Sequence, residues 1–260
     1  MDKNVTETEK LQDKIREQIV NLAEPSYQQF SSKLLPGTER IVGVRLPLLR
    51  KMAKQIIKKQ DWQGYLEQTV KDSVCEKHSK KKEELFEEIM LQGFLIGYAP
   101  VTLEERFAYL DKFIPKIDNW SVCDSVCATM KFALEYKEET WKFLQKHVKS
   151  DSEYGIRFAV VMYINYYIDE EYLDRVLKEL GEICHSAYYV KMAVAWAISM
   201  CYVLNAKRTE NFLKECSLDD FTYNKAIQKI IESRQIDKDE KEKLKAWKRK
   251  QPQADYKSKQ

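Results

Sequence analysis

Apolar side chains recur along the chain at intervals of three and four residues, the period of amphipathic α-helices. No stretch keeps the strict alternation of a half-buried strand, and the hairpin dipeptides Asn-Gly and Asp-Gly do not occur. The sequence therefore predicts an all-α fold. The predicted helices span residues 5–23, 46–59, 82–98, 102–113, 119–135, 138–149, 153–168, 170–181, 186–204, 207–216, 220–234 and 237–248.

Several predicted helices begin with recognisable start signals. Pro47 suits the first helical position, and Thr102 followed by Glu105 matches a capping box. Asp118 or Asn119 can cap the helix that follows. The connections are short, which favours antiparallel packing of consecutive helices.

Three of the later helices repeat one another. Arg157, Lys191 and Lys225 occupy matching positions, 34 residues apart, with one further helix in each interval. A repeated helix pair of this length predicts an α-α superhelix, a solenoid of the HEAT or armadillo kind. We expect residues 1–248 to form this single domain and residues 249–260 to be a basic, disordered tail.

The repeat places the three cations along one surface. Such a basic row is a plausible track for a phosphate backbone. The alternative is that each cation merely faces solvent near a helix start.

Composition narrows the class of protein. With 44% hydrophobic and 33% charged residues, the chain is neither disordered nor an integral membrane protein. The net charge is +3, but the last twenty residues alone carry +6, so residues 1–240 carry −3. The overall charge therefore does not indicate a nucleic-acid binder. The six cysteines indicate buried free thiols in a reducing cytoplasm.

Most familiar catalytic motifs are missing. The sequence has no Walker loop, dinucleotide fingerprint or Gly-x-Ser-x-Gly elbow. It has no Cys-x-x-Cys pair, and we expect neither a metal nor a cofactor. The lysine-rich stretch 77–82 is interpreted as a solvated loop.

Two aromatic–polar features stand out from the helical pattern. Trp120 and Asp124 lie four residues apart, hence on one face of a helix whose other residues are core-like. A carboxylate there must face a cleft or be paired, and a salt bridge to Arg157 is the structural alternative. Trp196 occupies the position held by Met162 and Ile230 in the flanking repeats, so it is either a core residue or an indole standing in a groove.

From about Tyr27 to Leu244 the chain resembles the bacterial AlkD-type DNA alkylation repair family, HEAT-repeat glycosylases that excise N3- and N7-alkylated purines. The resemblance rests on an ordered set of residues. These are Asn119, Trp120, Asp124, Ile156, Arg157, Ala159, Lys191, Trp196 and Lys225. It extends to the N-terminal stretch 43–50, which contains Arg45 and Arg50, and to Tyr27 just ahead of it.

The resemblance implies roles for these residues. Trp120, Asp124 and Trp196 would be catalytic, and Arg157 would face the damaged nucleotide with them. DNA would be bound by Arg157, Lys191, Lys225, Tyr27, Arg45 and Arg50. The expected activity is hydrolysis of the N-glycosidic bond in duplex DNA without base flipping, leaving an abasic site.

The resemblance has limits that leave other functions open. Ser199 stands where some family members carry a basic residue, and the stretch 63–100 matches only in helical pattern. The alternatives are a non-catalytic HEAT-repeat protein that binds damaged or branched DNA, and a scaffold for another protein. We expect a monomer that binds neither membranes nor nucleotide cofactors.

Overall fold

The computed structural model describes residues 7–59, 61–74 and 84–250, and this part of the chain is helical without strands. Its first seven helices are α1 (Glu7–Asn21), α2 (Pro25–Leu34), α3 (Leu46–Lys59), α4 (Trp62–Val74), α5 (Phe86–Tyr98), α6 (Leu103–Phe113) and α7 (Trp120–Cys127). The next seven are α8 (Lys137–Val148), α9 (Glu153–Tyr166), α10 (Leu173–Glu182), α11 (Tyr188–Leu204), α12 (Ala206–Glu215), α13 (Asp220–Glu232) and α14 (Lys238–Lys245). Short 3-10 helices span Ile114–Lys116 and Lys131–Leu134.

The chain divides into two compact units, residues 1–137 and 138–260. The expectation that residues 1–248 form one domain stays a prediction. The fold class expected from the sequence is confirmed, because within each unit helices pack on helices as in an α-α superhelix.

In the N-terminal unit, α5 is the central helix and packs between α3 and α7. It is apolar nearly all round, as a helix with neighbours on several sides must be. Its apolar side chains that are almost fully buried are Met90, Leu91, Phe94, Leu95 and Ile96. Gly93 permits close packing on α7, since a Cβ there would lie 2.2 Å from a methyl group of Val126.

In the C-terminal unit, α11 is central and packs between α9 and α13. Tyr154 of α9 contacts Tyr189 of α11, and Tyr188 contacts Phe221 of α13, all near the helix starts. The three helices therefore begin at the same edge. Because their connections are short, α10 and α12 must run back in the opposite direction, which gives the antiparallel helix pairs predicted from the sequence.

An aromatic cluster holds α8 against the next two elements. The indole of Trp141 lies 4.7 Å from the ring of Tyr163, 5.3 Å from that of Tyr167 and 5.6 Å from that of Tyr172. Aromatic pairs of this kind contribute about 0.5–1.5 kcal/mol each beyond their buried area. The Tyr172 hydroxyl also donates a 2.6 Å hydrogen bond to Glu138 at the start of α8.

The sequence-based helix assignment was wrong in three places. It missed α2 and α4, and it continued one helix over residues 119–135. That helix ends at Cys127, where the amide of Ala128 bonds back to Asp124 and Val126. Met130 and Ala133 remain buried in the turn and 3-10 helix that follow, so the apolar pattern continues although the α-helix does not.

The helix start signals are largely confirmed. The Thr102 hydroxyl accepts a hydrogen bond from the amide of Glu105, whose carboxylate accepts one from the amide of Thr102. Asn119 caps α7 by accepting a hydrogen bond from the amide of Val122. Pro47 is the second rather than the first residue of α3.

The boundary of the basic tail needs correction at Arg249. Its guanidinium donates to the carbonyls of Leu218 and Cys216 and lies 3.9 Å from the centre of the Tyr223 ring. Its amide donates to Asn224 of α13. Arg249 is therefore anchored to the fold, while residues 251–260 lie outside the described ranges.

The cysteines only partly follow the expectation of buried thiols. Cys123, Cys127 and Cys201 are buried, Cys216 is half-buried and Cys184 is exposed. Burial raises the pKa of the Cys201 thiol to about 12. Cys75 and the lysine-rich stretch 77–82 lie outside the described residues.

Candidate nucleic-acid interface

The acid and indole singled out by the sequence lie on the accessible side of α7. Val122, Cys123 and Val126 face the core and are fully buried. Trp120 and Asp124, one helical turn apart, are both half-buried. Trp120 is therefore not sealed in the interior, and Asp124 lies with it on the partly exposed side of the helix.

Tyr27 and Arg45 are brought together at the start of the N-terminal unit. The Arg45 guanidinium lies 4.9 Å from the centre of the Tyr27 ring and 2.9 Å from the Glu24 carboxylate. Hydrogen bonds from Arg45 lower the pKa of Glu24. Arg50 does not contact Tyr27 or Arg45 in this way. Its guanidinium packs against the ring of Phe94, 5.3 Å from the ring centre.

A buried carboxylate fixes the loop that leads to Arg45. Glu87 is fully buried and accepts hydrogen bonds from the amides of Val42, Gly43 and Val44. Gly43 has φ of +93°, and a Cβ there would lie 2.5 Å from the amide nitrogen of Gln28. The glycine is thus required both by its conformation and by the close approach of α2.

One exposed aromatic residue beside Tyr27 was not predicted from the sequence. Phe30, one turn further along α2, is 55% exposed, and its ring stacks on that of Tyr27 at 6.0 Å with an interplanar angle of 27°. The signal that predicts this pair is the i, i+3 spacing of two aromatic residues in a polar segment.

In the C-terminal unit, Arg157 links α9 to α11. The side chain is buried, and its guanidinium donates a 2.8 Å hydrogen bond to the carbonyl of Tyr189 and lies 5.9 Å from the centre of that ring. Glu153, one turn before Arg157, accepts a hydrogen bond from the Tyr189 amide. Arg157 therefore has a structural role in joining the repeats.

Lys191 is held by an ion pair. Its ammonium lies 3.1 Å from the Asp219 carboxylate and 5.8 Å from the centre of the Phe221 ring. Burial raises the pKa of Asp219, but hydrogen bonds from Thr222 and Lys191 outweigh this and lower it. Asp219 is therefore ionised at neutral pH and offsets the charge of Lys191.

Lys225 lies beside the same aromatic ring, that of Phe221. Its ammonium is 6.0 Å from the centre of the Phe221 ring and donates a 3.2 Å hydrogen bond to Gln228. Among the residues that the structure describes, Lys225 has no ion-pair partner. The repeat thus places Arg157, Lys191 and Lys225 on three helices that start at one edge, with unequal neutralisation of their charges.

Trp196 departs from the repeat position it occupies. Met162 and Ile230, its equivalents in the flanking repeats, are fully buried, whereas Trp196 is half-buried. Its carbonyl accepts a 2.7 Å hydrogen bond from the Ser199 hydroxyl, so that serine is turned back on its own helix. The position is core in two repeats and surface-accessible in the third.

Other kinds of site receive no support from the described part of the chain. It contains no group of His, Cys, Asp and Glu residues able to hold a metal ion. In the same ranges, every helix is too short or too polar to cross a membrane.

These features define an all-α protein of packed helix pairs with a basic, aromatic-rich surface in its C-terminal unit. A family model described as DNA alkylation repair enzyme matches residues 15–250, and the chain belongs to this family. A comparison with curated proteins gives no match. The resemblance noted from the sequence is thereby confirmed at the level of the family, whose description is that of a DNA repair enzyme.

Proposed function

We propose that this protein is a DNA glycosylase that hydrolyses the N-glycosidic bond of N3- and N7-alkylated purines in duplex DNA. The observation that carries the proposal is the accessible face of α7, where Trp120 and Asp124 lie one helical turn apart, opposite the buried Val122, Cys123 and Val126. Membership in a DNA alkylation repair family supplies the substrate class.

The chemistry of the substrate explains why a carboxylate and an indole suffice. An N3- or N7-alkylpurine already carries positive charge, so the base leaves neutral when it keeps the electron pair of the broken C1′–N bond. The sugar then develops oxocarbenium character, as in other glycoside cleavages. Water forms the new bond to C1′ and gives up a proton, and the product is an abasic site.

We assign the stabilisation of this cation to Asp124, which also orients the attacking water. Trp120 presents an electron-rich face to the cationic deoxyribose, a contribution of about 0.5–2 kcal/mol, and the resemblance noted from the sequence assigns the same role to Trp196. Preorganised charge of this kind acts in the transition state more than in the ground state.

We assign binding of the DNA backbone first to Lys225, whose ammonium has no ion-pair partner among the described residues. Lys191 lies beside it in an ion pair with Asp219, and the buried Arg157 supports both lysines by joining α9 to α11. Tyr27 and Arg45 are proposed as further DNA contacts in the N-terminal unit. Backbone binding of this type needs no base pocket, so we propose that the damaged base is excised without being flipped into the protein.

The test measures base release directly. Purified protein is incubated with duplex DNA treated with a methylating agent, and the freed 7-methylguanine and 3-methyladenine are separated by chromatography. We expect Asp124→Asn to reduce release about 100-fold or more, since removing one preorganised group costs about 10²–10³ in rate. Affinity for undamaged duplex should stay within about twofold, because non-specific binding depends on phosphate contacts.

Asp151→Asn is the matched control, the same substitution at an exposed surface position. It should release bases at the parental rate. Parental activity in the Asp124 variant would contradict the role of this carboxylate. Tight DNA binding without any base release by the parent protein would instead establish a non-catalytic DNA-binding protein.

A further inference from the structure

Four aromatic rings form a continuous row along the starts of α9, α11 and α13. The ring of Tyr154 lies 6.1 Å from that of Tyr189, Tyr189 lies 5.3 Å from Tyr188, and Tyr188 lies 6.0 Å from Phe221. Tyr188 is 54% exposed, while the other three are half-buried. The row therefore presents one open ring, supported from both sides by other rings.

Each cation of the repeat lies beside this row. Arg157 contacts the ring of Tyr189, and Lys191 and Lys225 both contact Phe221. We call the four rings and these three cations the ring–cation row. The neighbouring carboxylates already have partners. Glu153 accepts a hydrogen bond from the amide of Tyr189, and Asp219 forms an ion pair with Lys191.

A cleft of 460 Å³ continues the row beyond Phe221. Its volume falls in the range of small-ligand sites and is sufficient for a nucleotide. The lining residues combine one aromatic ring, two amides and three cations. They are Phe221, Asn224, Lys225, Gln228, Lys248 and Arg249. Arg249 is held by its own hydrogen bonds, so Lys225 and the exposed Lys248 are the cations available to an anion.

We propose that the ring–cation row and this cleft bind single-stranded DNA, with unpaired bases stacking on Tyr188 and phosphates contacting Lys225 and Lys248. Aromatic rings interleaved with cations are the arrangement by which proteins hold single strands, because every base has a π-face and every linkage a negative charge. A paired duplex offers its phosphates to the cations but keeps its base faces hidden in the stack. Only unpaired bases can therefore stack on the exposed ring of Tyr188.

This binding is independent of base excision and requires no alkylated base. The test uses fluorescence anisotropy with a labelled oligothymidylate of about 16 nucleotides and a duplex of the same length. We expect Tyr188→Ala to weaken binding of the single strand about tenfold, equivalent to about 1.4 kcal/mol. Binding of the duplex should change less than about twofold, since the substitution removes no charge.

Two further variants isolate the ring. Tyr188→Phe keeps the stacking surface and should retain the parental affinity, whereas loss of affinity in this variant would assign the contact to the hydroxyl. Tyr136→Ala removes an exposed tyrosine of the other unit, 39% exposed, and should leave binding unchanged.

Three outcomes would overturn the proposal. They are parental single-strand affinity in Tyr188→Ala, equal weakening of single-strand and duplex binding, and loss of affinity in Tyr188→Phe. None of these results depends on base release, so they are distinguishable from failure of the glycosylase assay.

Discussion

Asp219 limits the charge of the basic surface, and its substitution tests whether that surface binds phosphates. The carboxylate both pairs with Lys191 and caps α13 by accepting a hydrogen bond from the amide of Thr222. Asparagine is as good an N-cap as aspartate. Asp219→Asn therefore removes the negative charge beside Lys191 while preserving the start of the helix.

The magnitude follows from counterion release. Freeing Lys191 for one additional phosphate steepens the slope of log K against log salt by about 0.9. With equal affinities at 1 M salt, this corresponds to about eightfold tighter duplex binding at 0.1 M. The cost in stability is small, since a partly exposed ion pair contributes about 0–1 kcal/mol.

The assay is a salt series of duplex binding measured by fluorescence anisotropy for the parent and the variant. Asp237→Asn is a matched control, because Asp237 caps α14 through the amide of Glu240 in the same way. The control should leave both affinity and slope unchanged. A parallel salt dependence for parent and Asp219→Asn, or weaker binding by the variant at low salt, would show that Lys191 is not available to the DNA backbone.

Two predictions concern how α7 is positioned. Asn119→Ala should lower stability by about 1 kcal/mol through loss of the cap on the Val122 amide, measured as a shift in thermal midpoint, whereas Asn119→Ser should largely retain the cap. Gly93→Ala should destabilise the protein by about 1–3 kcal/mol because its Cβ meets Val126. In chemical denaturation, the loss in the Gly93→Ala/Val126→Ala double variant should be smaller than the sum of the two single losses, and an additive result would show that the two side chains do not clash.

Most helices with an apolar stripe facing the core were predicted from the sequence, but α2 and α4 were not. α2 buries only Ser31, so no stripe marks it, although Pro25 supplied a start signal. α4 does carry a stripe of Trp62, Tyr65 and Leu66, and Gly64 within it weakens the helical pattern. The helix predicted over 119–135 was too long because a turn and a 3-10 helix bury apolar residues as effectively as an α-helix does.

The sequence identified the candidate residues, but it did not predict which residues they contact. The four-residue spacing placed Trp120 and Asp124 on one face, which requires only local geometry. The Lys191–Asp219 ion pair joins α11 to the cap of α13, and the contact of Arg157 with Tyr189 joins α9 to α11. Such contacts depend on how helices pack, and sequence spacing alone does not fix packing.

The repeat explains why this division between predictable and unpredictable features arises. Positions that agree between repeats are set by a common architecture, so the cations at residues 157, 191 and 225 all lie near the starts of packed helices. Positions that differ are free to acquire a separate role, because each repeat contacts only its neighbours. Trp196 is half-buried where Met162 and Ile230 are core, and Tyr188 is exposed where the preceding repeat has the half-buried Tyr154. Binding of the backbone therefore belongs to what the repeats share, whereas recognition of a particular nucleotide belongs to the places where one repeat departs from the others.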